Sequence, residues 1–418
     1  MRILPEDQPV LDALAGRAAA LQDRAVAWCA VNSGSRNLTG LARQCDVLAP
    51  LLAALPGPVE RLALQPSPAV GDDGVIGEDR FGEALRLTVR PEAPIQVVLT
   101  GHYDTVYPAD SAFQAVRRRE DGAFWGPGIA DMKGGISVML GALEAFESHT
   151  ARDRLGYRVL LSPDEEIGSL GSAPLLAEIA RYGHVGLTYE PAMADGALAG
   201  ARKGSGNFHV LVKGKSAHAG RDFSSGRNAV VGAAEIAAAL HALNGEREGV
   251  TINVAKISGG APLNVVPDTA VVRFNVRVPD AASADWIRSE IERVVVAEPL
   301  MGQRGLQTSL HGGFTRPPKP LDDAQKALLQ RVQAAAALLG QAVEWKPSGG
   351  VCEGNNLHAA GLPNVDTLGV RGGAIHSAAE FAFPDSFVER AQLSALILMK
   401  LASGEIDGPG LKALRLAS

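Results

Sequence analysis

The order of apolar runs predicts an α/β chain with a mixed, largely parallel sheet and helices on both faces, interrupted by an inserted α+β unit of ferredoxin-like order. Three observations lead there. Strand-like and helix-like runs alternate between residues 95 and 189, the rhythm of a parallel sheet with crossover helices. From 207 to 310 the rhythm changes to β-α-β-β-α-β. Beyond Pro317, Pro318 and Pro320 the first alternation resumes, so one α/β domain is split by a smaller one. The boundaries read as 1–202 and 315–418 for the α/β domain and 203–314 for the insert.

Each element has its own signal. Residues 7–31 and 38–55 read as amphipathic helices rich in alanine and leucine, parted by the breaker run Asn32-Ser33-Gly34-Ser35. Strand-like runs follow at 84–89 and 95–99, then a helix at 133–147, a strand at 157–161, a helix at 173–181 and a strand at 185–189. In the insert come a strand at 207–212, a helix at 228–243, strands at 250–257 and 270–278, a helix at 284–296 and a strand at 306–310. A helix at 322–339, strands near Val343 and Val365, and a helix at 386–401 complete the outer domain. No repeat at solenoid periods interrupts this order.

Composition excludes several classes of function. Of 418 residues, 46% are hydrophobic and 21% charged, which is the balance of a globular chain and not of a disordered one. Forty basic against forty-six acidic side chains give a net charge of −6, so nothing global favours nucleic acid or an anionic membrane surface. Cys29, Cys45 and Cys352 are odd in number and far apart, which fits no disulfide framework and points to a reducing cytoplasm. Pro5, Glu6 and Asp7 precede any apolar run, against a signal peptide, and no stretch reaches the ~18 apolar residues of a membrane span.

Five constellations stand where strands end. His102, in Gly101-His102-Tyr103-Asp104, has an aspartate two residues on, the arrangement by which a carboxylate fixes the tautomer of a ligand imidazole; a strand-end cap is the plain alternative. Asp131, in Gly128-Ile129-Ala130-Asp131-Met132-Lys133-Gly134-Gly135, sits among glycines that let backbone approach closely, though aspartate here also suits a helix N-cap. Asp164-Glu165-Glu166 is either a solvated acidic run or a ligand beside a general base. Glu190 precedes Pro191, and His376 follows Gly372 and Gly373. Together these residues make a donor set for a hydrolytic two-metal centre.

The ordered motifs GHYDTV, GIADMKGG, SPDEEIGS, TYEP, GKSAHAG and GGAIHS resemble those of the zinc metallopeptidase family that includes glutamate carboxypeptidase, aminoacylase, acetylornithine deacetylase, succinyl-diaminopimelate desuccinylase and carnosinase. The motifs run from about residue 100 to 390, nearly the whole chain. The resemblance implies two Zn2+ per subunit, with Co2+ or Mn2+ as substitutes. His102 and Glu190 would hold one ion, Glu166 and His376 the other, and Asp131 would bridge both. Asp104 would orient His102, Glu165 would be the general base, and the bond after Asp131 would be cis. His218 would reach the active site of the partner subunit in a homodimer formed through the insert, which acts as lid and dimerisation domain. Asn264 and Arg277 would hold the substrate's carbonyl and terminal carboxylate, a planar fork suiting a carboxylate. Without the resemblance, His218 reads as a solvated loop histidine and Arg277 as a strand surface residue.

Where many members of the family it resembles carry an aspartate, this chain has Glu353, beside Cys352, which reads as a small packing residue. His149, His184, His209, His241, His311 and His358 lie outside every matched motif. The implied activity is hydrolysis of a terminal amide or peptide bond in a small carboxylate-bearing substrate, by a glutamate-carboxypeptidase-like exopeptidase. The alternatives are an N-acyl-amino-acid deacylase and, from a different class, a catalytically silent dimeric binding protein.

Overall fold

The computed structural model describes residues 1–296 and 305–417 and divides into two compact units. The first comprises Met1–Gln65, Arg80–Ala201 and Leu321–Ser418, the second Pro66–Asp79 and Arg202–Pro320. These boundaries differ from those expected. The last strand of the insert runs on to Arg316, and residues 66–79 belong to the second unit.

In the first unit six strands lie in the order Val59–Ala63, Glu83–Val89, Leu155–Ser162, Ile95–His102, Val185–Thr188 and Asn364–Val365. The last four strands are mutually parallel and the first two join antiparallel. Side chains alternate across the sheet as the two-residue period of a strand requires. Leu85, Leu87, Val97, Leu99, Val159 and Leu161 face the large core, where helices Lys133–Phe146 and Ser386–Ser403 pack together. Ala84, Val98 and Leu160 face the other way, against Leu176 and Ile179 of helix Ala173–Tyr182 and Leu357 of helix Glu353–Ala359. A sheet apolar on both faces explains why its strands read as near-continuous hydrophobic runs. The single helix expected over 7–31 is two helices, Gln8–Ala15 and Ala18–Cys29, broken at Gly16 and Arg17.

In the second unit four antiparallel strands lie in the order Thr251–Gly259, Thr269–Val278, Gly204–Lys213 and Gln307–Arg316. Helices Ala229–Ala242 and Ala281–Val295 cover one face. Asn228 and Asp280 start these helices, their side chains accepting the N–H of Val231 at 3.1 Å and of Ser283 at 2.7 Å. The hairpin Ser67–Val70 and Ile76–Asp79 lies against the opposite face, with Val70 on Leu211 and Val271 and Asp72 paired to Arg273 at 2.7 Å. Among the described residues no helix is long and apolar enough to cross a membrane.

Candidate functional site

His102 is the last residue of its strand and is register-paired with Ser162, the last residue of the neighbouring parallel strand. That register sets His102 and the acidic run 164–166 at the same carboxyl edge of the sheet, where open α/β sheets bind ligands. Glu190 leaves the same edge two residues beyond Thr188. Asp131 precedes helix Lys133–Phe146 and is joined to Met132 by a cis peptide bond, as the resemblance implied. His376 sits in a turn between the short strands Gly372–Gly373 and Phe381–Ala382, with φ +61°.

The expected donors converge. Nε2 of His102 lies 3.1 Å from Oδ1 of Asp131 and 3.7 Å from Oε1 of Glu190. Nε2 of His376 lies 3.2 Å from Oδ2 of Asp131 and 3.0 Å from Oε2 of Glu166. Asp131 thus turns one oxygen toward each histidine. Ligand atoms of His102, Glu165 and Glu190 fall within 4.8 Å of one another, and so do those of His102, Asp131 and Glu166. The other nitrogen of His102, Nδ1, lies 3.1 Å from the carbonyl oxygen of Asp104 and 3.3 Å from its carboxylate. Both are acceptors, so in the neutral ring Nδ1 carries the proton and Nε2 presents its lone pair to the centre.

The three acids of 164–166 separate by what they face. Asp164 turns back to accept the N–H groups of Gly171 at 2.7 Å and Ser172 at 3.2 Å, so it shapes the loop. Glu165 stands with His102 and Glu190, and Glu166 with His376. Asp104 accepts the backbone N–H of Glu165 at 3.1 Å and of Glu166 at 3.2 Å, and the hydroxyl of Ser35 at 2.7 Å. Glu353 accepts the hydroxyls of Ser162 and Ser169, which bracket the same run. Cys352 caps helix Glu353–Ala359, its Sγ 3.3 Å from the N–H of Gly354.

Electrostatics favour a cation here. Burial pushes Glu190 up to about 7, against the pull of His102. Burial, reinforced by Asp131, raises Glu166 well above the ordinary carboxylate range. Hydrogen bonds with Asp131 and Glu166 push His376 up to about 11. Among the described residues, Asp131, Glu166 and Glu190 have no Lys or Arg within ion-pair range, and Oε1 of Glu190 is buried with no hydrogen-bond partner. Crowded buried carboxylates and an orphaned oxygen fit divalent cations, which offset the charge, and the mixed imidazole and carboxylate donors suit zinc.

Four residues outside the expected set complete the frame: Ser35, Glu353, Tyr107 and Glu380. Glu380 accepts the backbone N–H of Gly128 at 3.0 Å, Ala130 at 2.9 Å and Asp131 at 3.0 Å. The one signal for it in the sequence is a lone acid in the otherwise uncharged run Ser377-Ala378-Ala379-Glu380-Phe381-Ala382-Phe383. A cavity of about 450 Å3, walled by Gly34, Arg36, Thr105, Val106, Glu166 and Ile167, opens beside this centre.

His218, Asn264 and Arg277 lie on the second unit. His218 ends the short strand Ala217–His218, paired with Val265–Val266, and the carbonyl of Asn264 accepts the N–H of Ala219 at 2.9 Å. These two residues therefore share one tip of that unit. Nδ1 of His218 accepts the N–H of Gly220 at 3.1 Å, so the neutral ring carries its proton on Nε2. Nε of Arg277 donates to Asn275 at 2.9 Å, while its Nη1 is buried with no hydrogen-bond partner.

A largely parallel sheet with two histidines and four carboxylates gathered near its carboxyl edge is the architecture of a metal-dependent hydrolase. The profile of peptidase family M20/M25/M40 matches residues 98–400, and the chain belongs to that family. Carboxypeptidase G2 of Pseudomonas sp. (strain RS-16) is 28% identical over 337 residues, 79% of each chain. Succinyl-diaminopimelate desuccinylase of Bordetella petrii is 29% identical over 310 residues, 68% of this chain and 77% of the relative. Among solved structures, the dipeptidase Dug1p of Saccharomyces cerevisiae superposes with a TM-score of 0.71 over 95% of this chain and 98% of its own, at 14% identity, a likeness of fold alone. The chain is thus a metal-dependent hydrolase of the M20 type.

Proposed function

We propose that this enzyme hydrolyses the terminal amide bond of small carboxylate-bearing substrates, as a glutamate-carboxypeptidase-like exopeptidase. The observation that carries this reading is Asp131, whose two oxygens are divided between His102 and His376 at 3.1 and 3.2 Å. One carboxylate serving two imidazole-carboxylate pairs suits two divalent ions, with His102 and Glu190 on one side and Glu166 and His376 on the other. Zinc is the proposed native ion, with Co2+ or Mn2+ as substitutes. When bound, such ions supply Lewis acidity toward a carbonyl oxygen and acidify water.

The chain's own groups supply the rest. Glu165 takes the proton of the attacking water and hands it to the nitrogen of the leaving amine, which balances the transfer. Asp104 keeps the lone pair of His102 facing inward and sets the loop that carries both glutamates. Nε2–H of His218 donates to the carbonyl oxygen as charge develops there. Arg277, with a buried donor to spare, grips the substrate's terminal carboxylate, and Asn264 adds a polar contact on the same unit. We further propose a homodimer through the second unit and a cytoplasmic location, the latter because all three thiols are buried and free.

The relative named as a desuccinylase supports a second reading, N-acyl-amino-acid deacylation, which breaks the same bond type. One experiment addresses both. Metal content is measured before and after chelation, and released amine is followed over a panel of dipeptides and N-acyl amino acids. Two ions per chain, loss of turnover on chelation and recovery with zinc are expected, with dipeptides or acylglutamates preferred. Full turnover by chelated protein, or no hydrolysis across the panel, overturns the proposal.

A further inference from the structure

The two loops that present Asp131 and His376 are stitched together by side chains with no assigned role. The Glu380 carboxylate is fully buried. Its Oε1 accepts from the N–H of Ala130 at 2.9 Å and of Asp131 at 3.0 Å. Its Oε2 accepts from the N–H of Gly128 at 3.0 Å and from the hydroxyl of Tyr107 at 2.7 Å. That hydroxyl also lies 2.8 Å from the carbonyl of Ser377, the residue after His376. The indole N–H of Trp125 donates to the carbonyl of Ala378 at 2.8 Å, and the backbone N–H of Gly126 to that of Glu380 at 3.2 Å.

Four donors converge on two oxygens, a demand that only a carboxylate meets. Glutamine offers one acceptor and would turn its NH2 against a backbone N–H. The other imidazole needs no such support. His102 ends a central strand and is held by Asp104, with a side chain 1% exposed, whereas His376 stands in an irregular turn with a side chain 54% exposed. We propose that Glu380 is a positioning residue that, with Tyr107, latches the Asp131 turn to the His376 turn and so sets metal affinity chiefly on the Glu166 and His376 side, with a smaller effect on the other ion through the shared Asp131. The inference rests on the two-ion reading above.

The test is metal titration of chelator-stripped protein against a chromophoric competitor, using zinc and, for its visible spectrum, cobalt. Residues that orient metal ligands from behind typically change affinity by about 10- to 100-fold. E380Q is therefore expected to weaken one ion by about that factor, to alter the cobalt spectrum of that site and to leave the other ion within a few-fold. Adding E380Q to H376A should cost little more than H376A alone, whereas adding it to H102A should cost its full effect, because contacting residues couple and separate ones add. Y107F should weaken the same ion by several-fold and more than it weakens the other ion.

Wild-type affinity at both sites in E380Q overturns the latch. Equal loss at both sites with a falling metal-free midpoint does so too, since that marks a general structural role. If E380Q does not fold, Y107F decides alone, and an unchanged Y107F titration overturns the latch. Wild-type protein that binds fewer than two ions refutes the two-ion reading separately. With one ion bound, the latch stands or falls on that ion's affinity; with none, both ideas fail.

Discussion

Asp104 shows how one buried carboxylate decides the chemistry of its neighbours. By accepting from Ser35 and from the N–H groups of Glu165 and Glu166, it fixes where two adjacent glutamates diverge, while its backbone carbonyl oxygen accepts the hydrogen bond of Nδ1–H of His102. The neighbours can then differ in duty, which yields a first prediction. Glu165→Gln should lower kcat by about 10² to 10⁴, the usual weight of a general base, with metal content at the wild-type level. Glu166→Gln should lose one ion. Metal analysis beside steady-state kinetics checks both, and metal loss in Glu165→Gln equal to that in Glu166→Gln reverses the assignment. A histidine away from the centre gives a second prediction. Nδ1 of His184 accepts the N–H of Gln96 at 3.0 Å, and burial, aided by Lys412, lowers its pKa below the ordinary 6.5. In the folded chain this ring resists the proton that the unfolded chain binds near pH 6.5. Its contribution to stability is thus complete above that pH and lost as pH falls through the depressed folded value. Between pH 7 and 5 the urea midpoint of His184→Gln should fall less steeply than that of wild type. Parallel slopes would remove His184 from the account.

At the scale of elements, the glycines around Asp131 do what their placement in the sequence suggested. A Cβ on Gly134 would stand 2.2 Å from the carbonyl oxygen of Ile129, and one on Gly135 would stand 2.0 Å from that of Tyr189. Helix Lys133–Phe146 therefore touches the backbone of the chain just before Glu190, and the two positions are set together. Gly135→Ala should destabilise the protein by about 1 to 3 kcal/mol, the usual cost of overpacking, and loosen metal at Glu190. Urea unfolding with and without zinc measures both, and an unchanged midpoint would contradict the close approach. Such features were legible because they are local. A strand of apolar residues followed at once by His102, Asp164 or Glu190 declares its ligand-binding edge without knowledge of any partner. The hairpin Ser67–Asp79 declared nothing, because its strands are four residues long and its stability lies in contacts with Leu211, Val271 and Arg273, more than 130 residues away. Glu380 stayed hidden for the same reason. Its value is four hydrogen bonds to donors about 250 to 270 residues earlier in the chain, and an isolated acid carries no trace of them.

For the whole molecule, the proposed homodimer makes a prediction about how its active sites are built. The motif around His218 lies on the ferredoxin-like unit, at a tip shared with Asn264, whereas the residues proposed as metal ligands all lie on the other unit. If His218 serves the site of the partner in a two-fold dimer, two inactive chains can repair each other. A Glu165→Ala chain still carries an intact His218, and a His218→Ala chain still carries an intact base. In a hybrid dimer one site then combines the intact base with the intact histidine, and the other site lacks both. Random exchange of equal amounts makes about half of the dimers hybrid, each with one working site of two, so activity should return to about a quarter of wild type. Exchange is followed independently by differently tagged chains, so that absence of recovery cannot be blamed on absence of mixing. Recovery near a quarter requires the active site to be shared between subunits. No recovery despite verified exchange assigns His218 to its own chain or to none.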